Sequence, residues 1–448
     1  MGVFLRFFSV FNFYVVANLL FSSCALSDEI ESEYLMEYST VYNVDESYLN
    51  KSELKLKLEF DWELESGKLF FSNTFSFDLG GNLERGNPYE NEPSAAGHRI
   101  ALFGSDNVLF DLREFYYQTE LFGHELTVGK QQIAWGQADG VAVLDLVNPI
   151  RYREFVLEDL EDARIPLWSV RYDLYFDDFS AQLIWIPDQS YSEFANNDSE
   201  FVLTSSRLMP QYPSPYPAEY IIEPVDKPNS VIKDSDYGFE ISKQISGLDI
   251  NVNYLNHYYD RPAFLRFINL ESDIPKVTVH ETFKKTKTYG FGLNRGYSDY
   301  VIRAEVAYST NRYYIDYDAR DFDGVQISPE LNYVIGVDYY GFESSMVSFQ
   351  FYQSRILDYK PTLSVVENDE IITFLYRLST WNDNLDIEAQ WFYDVHDHDG
   401  LVRFSGDYRI SDNYSLSIYL NNFYGDYIGV FGQYDDRDQI GLNFKWYF

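Results

Sequence analysis

From Leu54 to Leu64 every second residue is apolar and every residue between is charged. Leu54, Leu56, Leu58, Phe60, Trp62 and Leu64 alternate with Lys55, Lys57, Glu59, Asp61 and Glu63. Successive side chains of a β-strand point to opposite faces, so a period of two puts grease on one face and charge on the other. A single amphipathic strand of this kind also fits a soluble sandwich. Its repetition along the chain is what narrows the fold, because a sheet wet on one side and greasy on the other suits a tube in lipid.

The repetition is extensive. Tyr34–Val44 precedes Leu54–Leu64, which turns through Ser66-Gly67 into Lys68–Asp78. Leu112–Leu121 returns as Leu126–Ile133, Trp168–Phe176 as Phe179–Trp185, and Tyr237–Ile245 as Leu248–Tyr258. Thr288–Arg295 pairs with Tyr300–Tyr308, Leu331–Tyr340 with Met346–Gln353, Ile371–Thr380 with Leu385–Tyr393, and Leu401–Ile410 with Tyr414–Asn421. Gln439–Phe448 completes the series, giving about 18 strands, or 16 if one weak hairpin is lost. The expected fold is therefore all-β, a transmembrane antiparallel barrel with an aqueous lumen.

Composition supports the same class. Aromatic residues make up 19 % of the chain, with 40 Tyr and 36 Phe, as aromatic girdles at two lipid–water interfaces require. Mean hydropathy is −0.31 although 46 % of residues are hydrophobic, a combination that fits a greasy exterior around a wet interior. A net charge of −37 argues against nucleic acid as a partner, since phosphate binding needs clustered Lys and Arg. It implies a solvated acidic surface or, more sharply, an acidic lumen favouring cations.

Residues 1–25 read as a signal peptide: Arg6, an apolar stretch from Phe7 to Phe21, and small residues Ser23 and Ala25 before the cleavage point. The only cysteine, Cys24, lies inside it, so no disulfide is expected in residues 26–448, the single barrel domain. Bare hairpin turns on one side and long polar segments at 79–107, 187–235, 259–287, 309–330, 354–370 and 422–438 on the other match the asymmetry of bacterial barrels. An even strand count places both termini in the periplasm. Proline-rich 205–229 is expected to be an external loop without strand pairing. The acidic runs Asp316–Gly324 and Asp394–Asp399 do not have the spacing of an EF-hand and are expected to be solvated loops.

The closing segment alternates Ile440, Leu442, Phe444, Trp446 and Phe448 with Gly441, Asn443, Lys445 and Tyr447. In lipid every backbone N–H and C=O must be paired, so this strand should close on the first. Phe444, Trp446 and Phe448 look like the aromatic signal of the last strand, read by the barrel-assembly machinery. Outer-membrane lipid and lipopolysaccharide are the other expected partners.

One stretch breaks the strand pattern. Between Gly129 and Trp168, Asn148 and Pro149 have the character of a helix N-cap and first position, with Val156, Leu160 and Ala163 at helical spacing, so a short helix is expected over about 149–162. Arg151, Arg153 and Arg164 lie among Glu154, Glu158, Asp159, Glu161 and Asp162. Folded into the lumen as an insert over 134–165, these charges either set up a field across a constriction or pair with each other and the wall to hold the insert. The constriction residues expected from sequence are Trp135, Gly136, Asp139, Asp145, Asn148, Pro149, Arg151, Arg153, Glu154 and Arg164.

The run Gly129-Lys130-Gln131, Trp135-Gly136, Asp139-Gly140, Asp145, Val147-Asn148-Pro149 and Arg153-Glu154-Phe155 resembles a family of proteobacterial outer-membrane proteins with a G-[RK]-Q…WG-x-x-x-G…D-x-VNP…RE pattern. Gln137 stands where that pattern carries an acidic residue. The resemblance implies a large outer-membrane barrel, with some relatives connected to hydrophobic compounds or lipids. The function expected is passive passage of small solutes or hydrophobic compounds. The alternative is a plugged barrel that binds a ligand or docks a periplasmic transport partner. The six His, at 98, 124, 257, 280, 396 and 398, form no nucleophile motif, so no catalytic residue, metal ligand or cofactor is expected.

Overall fold

The structure is a computed structural model. It describes residues 30–448 except 81–98, 103–104, 137–140, 196–198, 206, 209–217, 270, 272–273 and 319. Eighteen antiparallel strands form a closed ring: β1 Ile30–Asn43, β2 Tyr48–Leu64, β3 Gly67–Asp78, β4 Ser105–Leu121, β5 His124–Gln131, β6 Leu167–Tyr175, β7 Ser180–Ile186, β8 Asp236–Ile245, β9 Leu248–Tyr258, β10 Lys285–Tyr297, β11 Tyr300–Ile315, β12 Val325–Tyr339, β13 Ser345–Ile356, β14 Asn368–Thr380, β15 Leu385–Asp394, β16 Gly400–Ser411, β17 Tyr414–Tyr424 and β18 Gln439–Tyr447. Each pairs with its neighbours in sequence, and β18 closes on β1 from Leu35↔Tyr447 to Asn43↔Gln439. The Phe448 amide donates to the Tyr34 carbonyl at 3.1 Å and its ring stacks on that of Tyr34, centroids 5.6 Å apart.

The two faces of the wall are as the alternation requires. Ile440, Leu442, Ile418, Leu420, Val402, Phe404, Phe349 and Ile335 are exposed on the outside, an apolar belt that only lipid makes stable in this quantity. An aromatic chain runs across neighbouring strands from Tyr34 through Phe60, Phe71 and Phe115 to Trp168, with centroid spacings of 6.0, 6.2, 6.2 and 6.4 Å. The two-residue hairpin β8–β9 turns through Ser246 at φ 51° and Gly247 at φ 78°. Two consecutive positive φ values match the right-handed twist of the strands they join.

Several loop expectations are corrected. β2 and β4 each run 17 residues and β11 runs 16, beyond the 9–11 or so that span a bilayer, so much of 309–330 is wall and not loop. The segment 259–287 contains a hairpin, Ala263–Asn269 with Lys276–Thr282, to which Glu219–Ile222 adds in parallel. That last strand lies within the proline-rich segment; it forms because the six residues between Pro217 and Pro224 all keep their N–H groups. The acidic runs are not simply solvated. Asp316, Asp394 and Asp399 are buried, each closing a turn: Asp394 Oδ1 accepts from the amides of His396 and Asp397 at 2.8 and 2.9 Å, and Asp316 Oδ1 from that of Asp318 at 2.9 Å. Asp399 Oδ2 accepts from Phe431 and Gly432 N–H at 2.8 and 2.7 Å, and burial, the dominant influence, raises its carboxyl above the usual range in spite of those donors.

Candidate functional site: a segment across the lumen

The alternation of β2 aims Lys51, Glu53, Lys55 and Lys57 at the interior, and each meets a partner from the insert. Lys51 Nζ lies 2.6 Å from Glu154, Arg153 Nη2 2.6 Å from Glu53, Lys55 Nζ 3.3 Å from Glu158, and Lys57 Nζ 2.6 Å from Asp162. Four consecutive inward positions on one strand thus form a ladder of ion pairs with residues 153–162. Arg151 joins it by spanning Glu158 at 2.6 Å and Asp111 of β4 at 3.2 Å.

β4 contributes through a bulge. Its register against β3 shifts between Ser72↔Glu114 and Asn73↔Leu112, leaving Arg113 as the extra residue. A bulge lets two successive side chains face the same way. Arg113 donates to the carbonyls of Glu161 and Arg164, both at 2.8 Å, while Glu114 accepts from the Gln132 amide at 2.8 Å.

Within the insert, Asn148 does not cap a helix. Its Oδ1 accepts from the Ile133 amide at 2.7 Å and its Nδ2 donates to the Ile165 carbonyl at 2.8 Å, so it ties the two ends of the segment together. The Pro149 carbonyl accepts from the Ile165 amide at 2.8 Å, and Arg164 bonds Asp145 through Nε and Nη2 at 2.9 and 2.7 Å. With those ends fixed, the helix expected over 149–162 reduces to one turn, Leu160–Ala163, and Arg151–Tyr152 pairs in parallel with Glu193–Phe194 instead. Tertiary hydrogen bonds outweigh a local helix signal worth about 1 kcal/mol.

The far end of the insert is seated on apolar surface. Trp135 packs with Ile133, Val147, Leu167, Ile184, Ile186 and Leu255, and its Nε1 donates to Gln182 Oε1 at 2.7 Å. Val143 and Leu144 pack on Ala307 and Val334, and their amides both donate to Glu305 Oε2 of β11 at 3.0 Å. Gly136 adopts φ 85°, which strains any L side chain, and a Cβ there would stand 2.8 Å from Glu305 Oε1 and displace that carboxylate. β2 and β11 are nine places apart in a ring of 18. The segment therefore touches opposite walls.

Residues 42–448 match the family model described as "Protein of unknown function (DUF1302)". The chain belongs to that family. No protein of curated function matches it in sequence. Among solved structures, this DUF1302 chain is similar to OccAB3 of Acinetobacter baumannii at 11 % identity and TM-score 0.51, over 94 % of this chain and 99 % of that one. It is also similar to the outer membrane protein OpdK of Pseudomonas aeruginosa at 9 % identity and TM-score 0.50, again over 94 % and 99 %. At such identity the likeness is one of fold: a porin-like outer-membrane barrel.

In the DUF1302 chain the structure brings together Trp135, Gly136, Asp145, Asn148, Pro149, Arg151, Arg153, Glu154 and Arg164 of the residues expected from sequence, while Asp139 lies outside the described residues. The wall partners Lys51, Asp111, Arg113, Glu114, Gln182 and Glu305 were not anticipated. Only the charged face of β2 carried a signal, since lysines at every second position on a lumen face need counter-charges from somewhere. Among the described residues no group of three or more His, Cys, Asp or Glu is placed to hold a metal ion.

Proposed function

We propose that this protein is an outer-membrane channel for small solutes or hydrophobic compounds, with residues 134–165 as its constriction and filter, and that it is not an enzyme. The observation that carries the reading is the span of the insert from the Lys51–Lys57 face of β2 to Glu305 on β11. A barrel of this strand number alone encloses an aqueous lumen; a segment fixed across it sets what passes. Both termini are read as periplasmic, and the aromatic residues Phe444, Trp446 and Phe448 as the signal for assembly.

A second reading, a plugged barrel, draws on the buried cluster in which Phe155 of the insert packs with Phe201, Leu401, Phe423, Phe431 and Tyr434. Liposome swelling separates the two. Vesicles holding the full chain should swell in arabinose or glycine, and faster once residues 141–163 are replaced by a short Gly-Ser linker. No swelling from the full chain together with rapid swelling from the shortened one would favour the plug, and no swelling from either would refute the channel.

A further inference from the structure

On the long-loop side of the insert, five separate pieces of chain bring aromatic rings and guanidinium groups together. The short parallel pairing of Arg151–Tyr152 with Glu193–Phe194 stacks the Tyr152 and Phe194 rings, centroids 5.1 Å apart and 9° from parallel. Arg261, just after β9, holds its guanidinium 5.6 Å from the Tyr152 centroid and 5.8 Å from that of Phe194. From β11, Arg312 lies 3.3 Å over the ring of Tyr259 and 2.9 Å from Glu330. Tyr352 of β13, close enough to act on the charge of Arg261, packs on the cluster containing Val143 and Leu144. The group is pinned by the Ser192 amide to the Asp260 carbonyl at 3.2 Å and the Glu193 amide to the Ile150 carbonyl at 3.0 Å.

Arg261 differs from the arginines around it. In a chain with 71 side-chain carboxylates, Arg151, Arg153, Arg164 and Arg312 each hold at least one, whereas Arg261 forms no ion pair among the described residues and remains exposed. Asp260, its neighbour in sequence, is pushed up to about 8 by burial in spite of Arg312 and Arg261, so it contributes little negative charge at neutral pH. A guanidinium beside aromatic rings keeps in-plane N–H donors in a fork that matches a carboxylate. The flat faces of Tyr152, Phe194 and Tyr259 offer area to an apolar body.

We propose that Arg261, Tyr152, Phe194, Tyr259 and Tyr352 form a lumen subsite for an aromatic monocarboxylate, the carboxylate forked by Arg261 and the ring laid on the tyrosine and phenylalanine faces. This deepens the channel reading by naming a solute class and rests on it only for transport, not for binding. The test is isothermal titration of the full chain in detergent with benzoate, benzylamine and acetate. Benzoate should bind at least tenfold more tightly than either of the others. Arg261→Gln should weaken benzoate at least tenfold, Phe194→Leu several-fold, and Arg320→Gln, whose exposed guanidinium pairs with Asp318 and is no member of the group, not at all. Retained heat-modifiable migration of each variant shows that the barrel is folded. Equal affinity for benzylamine, or benzoate binding unchanged in both Arg261→Gln and Phe194→Leu, overturns the subsite. Benzoate binding without any bilayer current leaves the subsite standing and removes the channel.

Discussion

Glu53 shows what a single residue does in this lumen. It accepts from Arg153 at 2.6 Å and has Lys51 and Lys55 at 3.7 and 3.8 Å, all nearly out of reach of water. A buried ion pair adds little over apolar packing, yet removing one partner strands the other and costs about 3–5 kcal/mol. Glu53→Gln should therefore loosen the insert while leaving the wall intact, seen as new trypsin cleavage at Arg151 or Arg153 in a barrel that still migrates as folded. Gly136→Ala forces a Cβ into a left-handed backbone and against Glu305, costing about 1–3 kcal/mol of insert docking by the same assay. These effects lie beyond sequence reading. The β2 face advertises four unpaired charges, but Glu154, Glu158 and Asp162 are about 100 residues away, and nothing local assigns the partners.

At the scale of elements, a period of two is legible because it follows from strand geometry alone, and the strands emerge in number and order. The insert is legible only as an interruption. Its Asn148-Pro149 start imitates a helix cap, but the same amide side chain can bridge two backbone segments, and the fold uses it so. The bulge at Arg113 has no sequence mark, and the hairpin at 263–282 is hidden because a loop strand needs no lipid-facing alternation. Trp135→Ala should empty the apolar seat of the insert and lower its docking stability by about 3–5 kcal/mol, measured as a shift in protease protection against urea. The loop carrying Asp260 should respond to pH. Its folded-state pKa, raised by burial to about 8, exceeds the ordinary carboxylate value, so the folded loop binds the proton more tightly than the unfolded one. That contribution is complete below the ordinary carboxylate range and disappears as pH rises through 8. Hydrogen exchange in 259–284, corrected for intrinsic rate, should be slower at pH 6 than at pH 9, and Asp260→Asn should remove the difference.

For the whole molecule, closure and crossing act together. A sheet in lipid tolerates no free edge, and β18 removes the last one by pairing with β1 over nine positions and stacking Phe448 on Tyr34. Truncation after Lys445 should abolish the heat-modifiable folded form on gels. The ring then sets opposite walls nine strands apart, and the insert joins them by charge on one side and by Glu305 and apolar packing on the other. The measurement that tests this arrangement most directly is single-channel conductance in planar bilayers of the full chain and of a Glu53→Gln/Glu305→Gln variant, which weakens both attachments at once. Discrete openings from the full chain that grow at least twofold in the variant are predicted. Identical conductance in the two folded proteins, or none from either, would contradict an insert that governs the pore.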